Sequence, residues 1–177
     1  MICELGAHPK PVENLMENQS YMKLSKRLQT IADLIENGAS VADVGTDHGY
    51  LPVFLAQKGN AKKIIASDIN EAPLAVACRS ATAAGVSDKI SFVVAPGLDC
   101  VAPEDVDTIV IAGMGGEMIV SILKAAPWTK SDRKKLILQP QSKLDILFRF
   151  LYNEGYKIKL IKQVPDKNKR YTIILIS

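Results

Sequence analysis

The chain has 177 residues, of which 47% are hydrophobic and 23% are charged, and its 22 basic and 19 acidic side chains give a net charge of +3. This composition is typical of one globular domain with a sizeable core and argues against a disordered chain. The longest apolar stretch, near 108–123, is interrupted by Glu117 and several glycines, which argues against a membrane span.

The first residues, 1–22, show no hydrophobic periodicity, so we interpret them as an N-terminal arm that is disordered or tag-like. Acidic residues stand where a secretory signal would be basic and then apolar, and secretion is not expected. These residues are Glu4, Glu13 and Glu17. One domain is predicted over 23–177. Its first helix has an apolar face with helical spacing and ends at Asn37-Gly38. That face consists of Leu24, Leu28, Ile31 and Ile35.

The three cysteines, Cys3, Cys78 and Cys100, have no paired spacing. Paired spacing would be expected of a zinc site or of a disulfide framework. We therefore predict reduced thiols, a cytoplasmic protein and no metal site.

The turn after the first predicted strand is the most informative segment. An apolar run of strand length, 41–44, is followed by Gly45-Thr46-Asp47-His48-Gly49 and then by a helical pattern over 50–58. Glycines let the backbone approach a ligand closely, and a helix N-terminus presents N–H groups that attract an anion. The turn thus predicts a site for a phosphate or a carboxylate, and the alternative interpretation is a tight α/β connection.

An acid follows the second predicted strand. The run 63–67 places Asp68 at a strand end, 23 residues after Gly45 (68 − 45), where a nucleotide-binding α/β domain holds ribose hydroxyls. Asp68-Ile69-Asn70 also suits an N-cap for the next helix, and the two roles are compatible. Together with the glycine turn, this acid predicts a nucleoside site.

Strand-like and helical segments then alternate, which is typical of a mostly parallel sheet with right-handed crossovers. The predicted strands are 41–44, 63–67, 90–94, 108–112 and 135–138, and the predicted helices are 50–58, 71–84, 116–125 and 143–153. Strands 156–164 and 170–176 have no helix between them, so we expect an antiparallel hairpin with its turn at Pro165-Asp166-Lys167-Asn168. This layout favours an S-adenosylmethionine-dependent methyltransferase over a dinucleotide-binding domain, whose first turn would carry G-x-G-x-x-G.

A second glycine-rich segment ends the predicted strand 108–112. Ala112-Gly113-Met114-Gly115 leaves the backbone bare where a substrate and a cofactor should meet. Met114 offers a soft, adaptable surface for a flat ring. The alternative interpretation is a mobile strand-to-helix loop.

Basic residues cluster in two places, and both clusters are predicted to contact phosphates. The first consists of Lys130, Arg133, Lys134 and Lys135, and the second of Lys157, Lys159, Lys162, Lys167, Lys169 and Arg170. The alternation of Lys157 and Lys159 equally suits the solvated face of an edge strand.

Four segments resemble the bacterial tRNA (adenine-22-N1)-methyltransferase family. They are Leu24-Ser25-Lys26-Arg27-Leu28, the run from Ala42 to Pro52, Ile111-Ala112-Gly113-Met114-Gly115-Gly116 and Leu136-Ile137-Leu138-Gln139-Pro140. The resemblance runs from about Leu24 to the C-terminus. It implies a Rossmann-like class I methyltransferase fold, with a mostly parallel α/β sheet and an antiparallel C-terminal hairpin. It also implies S-adenosylmethionine as the cofactor and methyl transfer to N1 of a tRNA adenine.

The resemblance also implies site residues. The methionine and ribose parts of the cofactor would be surrounded by Asp43, Gly45, Thr46, Asp47, His48, Gly49 and Tyr50. Its ribose and adenine would be held by Asp68, Ile69 and Asn70, and the reacting methyl would be bordered by Ala112, Gly113, Met114 and Gly115. We expect Asp47 to be the catalytic residue nearest the methyl, with His48 as a helper. The alternatives are a helix N-cap for Asp47 and a supporting role for His48.

The expected chemistry needs few side chains. Adenine N1 already offers a lone pair, so methyl transfer depends on in-line positioning and a desolvated site more than on a strong base. No Asn-Pro-Pro-Tyr-like segment is present, which argues against methylation of an exocyclic amine.

The chain also departs from the family pattern. Ala95-Pro96-Gly97-Leu98 stands where members carry Gly-Asp-Gly-Leu, whose acid reads the cofactor's adenine amine, and Asp99 is the candidate replacement. The family's Gln-Pro-Asn reads Gln139-Pro140-Gln141. The family's C-terminal helical extension, which helps to hold tRNA, has no counterpart before Ser177. We therefore expect a truncated chain, a short natural variant or a member with altered substrate use.

Two other functions remain open from the sequence. One is a catalytically weakened module that binds cofactor or RNA, and the other is an NAD(P)-dependent oxidoreductase on the same sheet. The second is disfavoured because the turn has glycines only at Gly45 and Gly49. The oligomeric state is not predicted.

Overall fold

The computed structural model describes residues 21–166 and 168–177, so the predictions for residues 1–20 and for Lys167 lie outside the described part. Within that part the α-helices are α1 Lys26–Asp33, α2 Tyr50–Lys58, α3 Glu71–Ala83, α4 Gly116–Ala125 and α5 Leu144–Asn153. The strands are β1 Ala39–Val44, β2 Ala61–Asp68, β3 Ser91–Val94, β4 Thr108–Gly115, β5 Lys135–Ser142, β6 Ile158–Asp166 and β7 Lys169–Ile176.

These strands form one sheet in the order β3-β2-β1-β4-β5-β7-β6. The pairs from β3 to β5 are parallel, and β7 pairs antiparallel with both β5 and β6. The predicted mostly parallel sheet with an antiparallel C-terminal hairpin is therefore confirmed. β6 lies at the edge of the sheet with most of its residues exposed, as the alternation of lysines indicates.

The central strands are buried on both faces because helices cover each side of a parallel sheet. Ile109, Val110 and Ile111 of β4 are completely inaccessible to solvent, as are Leu136, Ile137 and Leu138 of β5. Successive residues point to opposite faces. One face packs on the buried residues of α4 and α5, and the other packs on those of α1 and α2. Burial of each such side chain stabilises the fold by roughly 1.5–3 kcal/mol.

The end of β4 differs from the predicted strand end at residue 112 and from the alternative of a mobile loop. The strand runs on to Gly115, and Ala112, Met114 and Gly115 pair with β5 through two shifts of register. Gly113 has a φ of +83°, which a glycine adopts without strain. The glycine-rich segment is therefore a bulged strand end that is held on one side by β5.

Other boundaries differ by a few residues. α1 begins at Lys26, where the Ser25 hydroxyl accepts the Leu28 N–H at 3.3 Å, and it ends at Asp33 instead of Asn37. Pro165 and Asp166 belong to β6 instead of the predicted turn.

At the start of the described chain, Tyr21 and Met22 contact α2. The Met22 N–H donates to Gln57 Oε1 at 2.7 Å, and the Lys58 ammonium lies 4.1 Å from the centre of the Tyr21 ring. Across the described ranges, no helix is long and apolar enough to cross a membrane, and no group of three or more His, Cys, Asp or Glu side chains could hold a metal ion. Cys78 and Cys100 are free thiols, and Cys3 lies outside the described residues.

Candidate functional site

A cleft of about 970 Å³ opens at the carboxyl edge of the sheet. It lies beside the ends of β1, β2 and β4, where ligands bind in open α/β sheets. Its wall on one side is the glycine turn Gly45 to Asp47, and on the other side it is Ala112, Gly113 and Met114. The cleft is large enough for a ligand of nucleoside size or more.

Every second residue of the glycine turn has a left-handed backbone conformation. Gly45, Asp47 and Gly49 have φ angles of +70°, +54° and +71°. The N–H groups of Gly45 and Thr46 both donate to the Ser67 carbonyl, at 2.8 and 2.9 Å, and that of Gly49 donates to the Thr46 carbonyl at 3.0 Å. The prediction of free N–H groups across this turn was therefore wrong in detail, because the turn uses them to bind β2.

The anionic group that binds to the turn is a side chain of the protein itself, the carboxylate of Asp68. Asp68 Oδ2 accepts the Asp47 N–H at 3.1 Å, and Asp68 Oδ1 accepts the Asn70 N–H at 2.9 Å. Asp68 thus holds together the turn after β1 and the turn after β2. A carboxylate can accept about four hydrogen bonds, so two N–H groups leave capacity for the hydroxyls of a ligand.

The two glycine-rich segments touch. A Cβ atom added to Gly45 would lie 2.1 Å from the Cε atom of Met114, a distance that real contacts do not reach. Glycine at position 45 therefore lets the methionine of β4 lie directly against the turn. The structure brings together the two segments between which the sequence places the ligand.

Asp43 is a buried acid on the floor of the cleft, with 6% of its surface exposed. Burial raises its pKa to about 6, while a hydrogen bond from the Thr46 hydroxyl at 2.7 Å and the charge of Arg27 act in the opposite direction. Asp43 is thus an acid whose charge changes with pH around 6.

Asp47 lines the cleft, and His48 lies beside it. His48 Nδ1 is 2.9 Å from Asp47 Oδ2, and the His48 ring stacks on Tyr50 with 5.9 Å between centroids. The side chains of His48 and Asp47 are 45% and 66% exposed. Asp47 is not the N-cap of α2, because Gly49 occupies that position. The N-cap alternative for Asp47 is therefore excluded.

Most of the predicted site residues lie on the cleft. Those that line it are Asp43, Gly45, Thr46, Asp47, Tyr50, Asp68, Ile69, Asn70, Ala112, Gly113 and Met114. Those that do not are His48, Gly49 and Gly115. Gly49 has a packing reason to be glycine, since an added Cβ would lie 2.6 Å from the Cβ of Ala77 on α3. Gly115 is the N-cap of α4.

The cleft also contains residues for which the sequence predicted no role there. Arg27, from α1, lies in it, and so do Met118 of α4, Trp128 and Gln141. The signal for Arg27 was present in the segment 24–28, but its apolar spacing indicated only a core helix. Pro96 and Asp99 both line the cleft, so an acid is present three residues after the position that departs from the family pattern.

The first basic cluster lies at the amino edge of the sheet, whereas the second is divided between the two edges, since Lys157 pairs with Asp132 at the amino edge. Lys130, Lys134 and Lys135 lie before β5, at the amino edge, where each has a protein partner. At the carboxyl edge lie exposed cations whose side chains have no hydrogen-bond or ion-pair partner among residues 21–166 and 168–177. These cations, the basic rim, are Lys26, Lys143, Lys169 and Arg170.

The strand order and the acid beside a glycine turn define a nucleoside-binding α/β domain of the methyltransferase class. The sequence profile of the methyltransferase domain family matches residues 24–174.

Comparison with known relatives identifies the family within this class. The chain is 39% identical to the tRNA (adenine(22)-N(1))-methyltransferase of Bacillus subtilis over 154 residues, which are 87% of this chain and 65% of that enzyme. The crystal structure of the B. subtilis m1A22 tRNA methyltransferase TrmK superposes with a TM-score of 0.82 at 36% identity, covering 88% of this chain and 67% of that one. M. capricolum TrmK in complex with the cofactor product S-adenosyl-homocysteine superposes with a TM-score of 0.78 at 31% identity, covering 89% and 69%. The chain belongs to the tRNA (adenine-22-N1)-methyltransferase family.

Proposed function

We propose that this chain is an S-adenosylmethionine-dependent methyltransferase that transfers a methyl group to N1 of an adenine in tRNA. The observation that carries the proposal is the anchored Asp68 carboxylate, which faces an open cleft beside the glycine turn. The relatives named above are enzymes of this activity, and one of them was crystallised with S-adenosyl-homocysteine. The chain spans 65% of the length of the B. subtilis enzyme.

The residues of the cleft fit the cofactor. Asp68 has acceptor capacity for two ribose hydroxyls, and Ile69 offers an exposed apolar surface on which an adenine ring can lie. The amino acid end would lie over the bare backbone between the glycine turn and Gly113. When bound, the cofactor supplies an electrophilic methyl group on a sulfonium. Asp43, Thr46, Tyr50 and Asn70 complete the group of residues that we assign to it.

The chemistry requires the protein to position the acceptor and to keep water away. Adenine N1 attacks through its own lone pair, so no residue needs to remove a proton beforehand. The adenine gains positive charge as the bond forms, and a nearby carboxylate stabilises that charge. Asp47 is an exposed acid on the wall of the cleft that the glycine turn forms, and we assign it this role. His48 would orient it through their 2.9 Å contact. Ala112 and Met114 would border the reacting methyl group.

The basic rim supports tRNA as the partner. Its four cations lie at the same edge of the sheet as the cleft, where an RNA strand that delivers a base would pass. Unpaired lysine and arginine side chains bind phosphates by releasing counterions. A tRNA-modifying activity supports the cytoplasmic location that the sequence predicts.

One observation supports a second candidate function. Pro96 replaces the acid that the family pattern would place next to the adenine, so cofactor recognition differs at this position. A chain that binds the cofactor or RNA but transfers no methyl group is the second candidate.

The test is incubation of the protein with labelled S-adenosylmethionine and unmodified tRNA, followed by nucleoside analysis. We expect label in 1-methyladenosine, and much less with Asp47→Asn. Asp105→Asn, at the opposite edge of the sheet, is the matched control and should keep full activity. Calorimetric binding of S-adenosyl-homocysteine without any labelled nucleoside would support the binding module instead. Binding of a dinucleotide alone would support an oxidoreductase.

A further inference from the structure

Gln141 is a polar residue of the cleft to which the proposed methyl transfer assigns no role. It lies one residue before the end of β5 and lines the cleft with an exposed side chain. The side-chain amide has no hydrogen-bond partner among residues 21–166 and 168–177. The nearby Gln139 differs, because it is completely buried, accepts from Arg27 Nη1 at 2.7 Å and donates to the Pro140 carbonyl at 2.8 Å. Gln139 therefore supports the structure, whereas Gln141 presents a free amide to the cleft.

The register of β4 and β5 places Gln141 beside the reacting group. Met114 pairs with Pro140 and Gly115 pairs with Ser142, so Gln141 lies between these two partners. Adjacent strands are about 4.8 Å apart, and a glutamine side chain reaches its amide oxygen through four bonds of roughly 1.5 Å or less. The amide therefore reaches a base that lies over the end of β4. Met114 belongs to the wall that we assign to the reacting methyl group.

Gln141 is the residue on this wall that is able to accept a hydrogen bond strongly. The other described residues of β4 and β5 that line the cleft have no side-chain oxygen. Arg27 also lines the cleft, but a guanidinium has donors and no acceptor. Asp47 lies on the wall formed by the turn after β1, and β4 separates β1 from β5. The two walls are thus about two strand spacings, roughly 10 Å, apart. A base that enters over β4 meets Asp47 on one side and the Gln141 oxygen on the other.

We propose that Gln141 accepts a hydrogen bond from the exocyclic amine of the acceptor adenine during methyl transfer. The inference rests on the proposed function, since it assumes that adenine N1 is the methyl acceptor. N1 and the amine nitrogen are attached to the same ring carbon, so they lie roughly 2.3 Å apart. A side chain that borders the methyl group is therefore also within hydrogen-bond reach of the amine. Gln141 thus aligns N1 with the methyl group and selects a base that carries an amine.

Charge strengthens this hydrogen bond as the reaction proceeds. The N1 lone pair forms the bond to the methyl carbon, and the carbon–sulfur bond breaks with its electron pair left on sulfur. The positive charge passes to the adenine, where N1 and the amine share it, and the amine becomes a better donor. A hydrogen bond from a charged donor is roughly twice as strong as a neutral one. An interaction that is stronger in the transition state than in the ground state raises kcat.

The experiment removes the amine from the RNA and the acceptor from the protein, separately and together. Purine ribonucleoside has the N1 lone pair of adenosine without its amine, and tRNA is prepared with either nucleoside at the position that the wild type methylates. We expect Gln141→Met to lower kcat for the adenosine tRNA about 10- to 100-fold, with KM for tRNA unchanged. The same variant should change kcat for the purine tRNA by less than about threefold.

Two further variants act as controls. Gln141→Glu keeps an oxygen acceptor and should keep the preference for the adenosine tRNA. Gln29→Met is the matched glutamine replacement, because Gln29 of α1 donates to Asp33 at 2.8 Å and does not line the cleft. It should leave both kcat values unchanged. Gln141 is exposed at a strand end, so its replacement leaves the core intact, and thermal unfolding should match that of the wild type.

Binding provides a readout that needs no turnover. tRNA that already contains 1-methyladenosine has both the amine and the positive charge. In fluorescence anisotropy it should bind Gln141→Met roughly 10-fold more weakly than it binds the wild type, whereas the purine tRNA should bind both proteins equally. Equal affinities of the two proteins for the 1-methyladenosine tRNA would contradict the inference.

Other outcomes also decide against it. Equal losses of kcat with the adenosine and purine tRNAs would make Gln141 a support of the cleft. A raised KM for both tRNAs with unchanged kcat would assign its amide to the sugar or phosphate of the RNA. A weaker affinity of Gln141→Met for S-adenosyl-homocysteine in calorimetry would assign the amide to the cofactor. A wild type that binds S-adenosyl-homocysteine and methylates no tRNA would defeat the proposed function itself.

Discussion

The two edges of the sheet use their charged residues in opposite ways. At the amino edge three lysines pair with acids. Lys63 lies 2.8 Å from Asp105, Lys157 lies 3.0 Å from Asp132, and Lys135 pairs with Glu36. A smaller cleft of about 360 Å³ lies there and is lined in part by such paired side chains. At the carboxyl edge, by contrast, the acids bind backbone N–H groups and the cations of the basic rim have no partner among the described residues.

This difference identifies the functional edge without reference to any relative. A charge that is already paired gains little from a ligand, because the new contact must replace an existing one. Donors and acceptors with spare capacity have no such cost. The larger cleft and the spare hydrogen-bonding groups occur together at the carboxyl edge, so we infer that the protein binds its ligands at this edge.

Replacement of Asp68 should produce the largest effect. Asp68→Ala removes the acceptor of two backbone N–H groups and, in our proposal, of the ribose hydroxyls. Two hydrogen bonds to a charged group correspond to about 3 kcal/mol or more, so the affinity for S-adenosyl-homocysteine should fall about 100-fold or more in calorimetry. Asp105→Ala removes a paired acid at the amino edge and should leave the affinity unchanged. Similar losses in both variants would contradict the distinction between the edges.

The glycines at the two ends of α2 allow a matched comparison of stability. Gly49 and Gly59 have nearly equal φ angles, +71° and +67°, but a Cβ at Gly49 would meet Ala77 at 2.6 Å whereas the space at Gly59 is open. Gly59→Ala should lower the free energy of unfolding by about 1–2 kcal/mol, the cost of the left-handed backbone. Gly49→Ala should cost about 2–4 kcal/mol because overpacking adds to it. Urea unfolding measures both, and equal losses would show that α3 moves away freely.

The sequence predicts the order of strands and helices well because each segment has its own periodicity. It also places Asp68 and the two glycine-rich segments, since strand ends can be located from the chain alone. It does not predict that β4 continues through Gly113, because that pairing depends on β5. It also does not predict which basic residues are already paired within the protein, since Lys135 pairs with Glu36, 99 residues away. The position of Arg27 in the cleft likewise depends on Gln139 and Tyr171.

Asp43 and Glu36 should respond to pH in opposite directions. Burial raises the pKa of Asp43 to about 6, whereas the hydrogen bond from Lys135 lowers the pKa of the exposed Glu36. The folded state therefore holds a proton on Asp43 more tightly than the unfolded state does. That contribution to stability is complete below about pH 4, the ordinary pKa of an aspartate, and is lost as the pH rises through about 6. The contribution of Glu36 is present above its unfolded pKa and is lost as the pH falls through its folded pKa.

Asp43→Asn should remove this dependence while keeping an acceptor for the Thr46 hydroxyl. Relative to the wild type, the variant should gain on the order of 2 kcal/mol in its free energy of unfolding between pH 4.5 and pH 7.5. Urea unfolding of the ligand-free protein at these two pH values measures the change. A constant difference between the two proteins would show that Asp43 titrates normally despite its burial.

The basic rim should produce the smallest effect, and it tests the comparison of the edges on the tRNA itself. Lys169→Gln with Arg170→Gln removes two unpaired cations at the carboxyl edge, whereas Lys130→Gln with Lys157→Gln removes two paired ones at the amino edge. Each phosphate contact contributes about 1 to the slope of log affinity against log salt. The first double variant should bind tRNA about 10-fold more weakly near 0.1 M salt and with a slope smaller by about 2, measured by fluorescence anisotropy. The second should match the wild type in slope, because its lysines are already neutralised by Glu154 and Asp132. A reduced slope in the second variant alone would indicate that the RNA binds at the amino edge of the sheet.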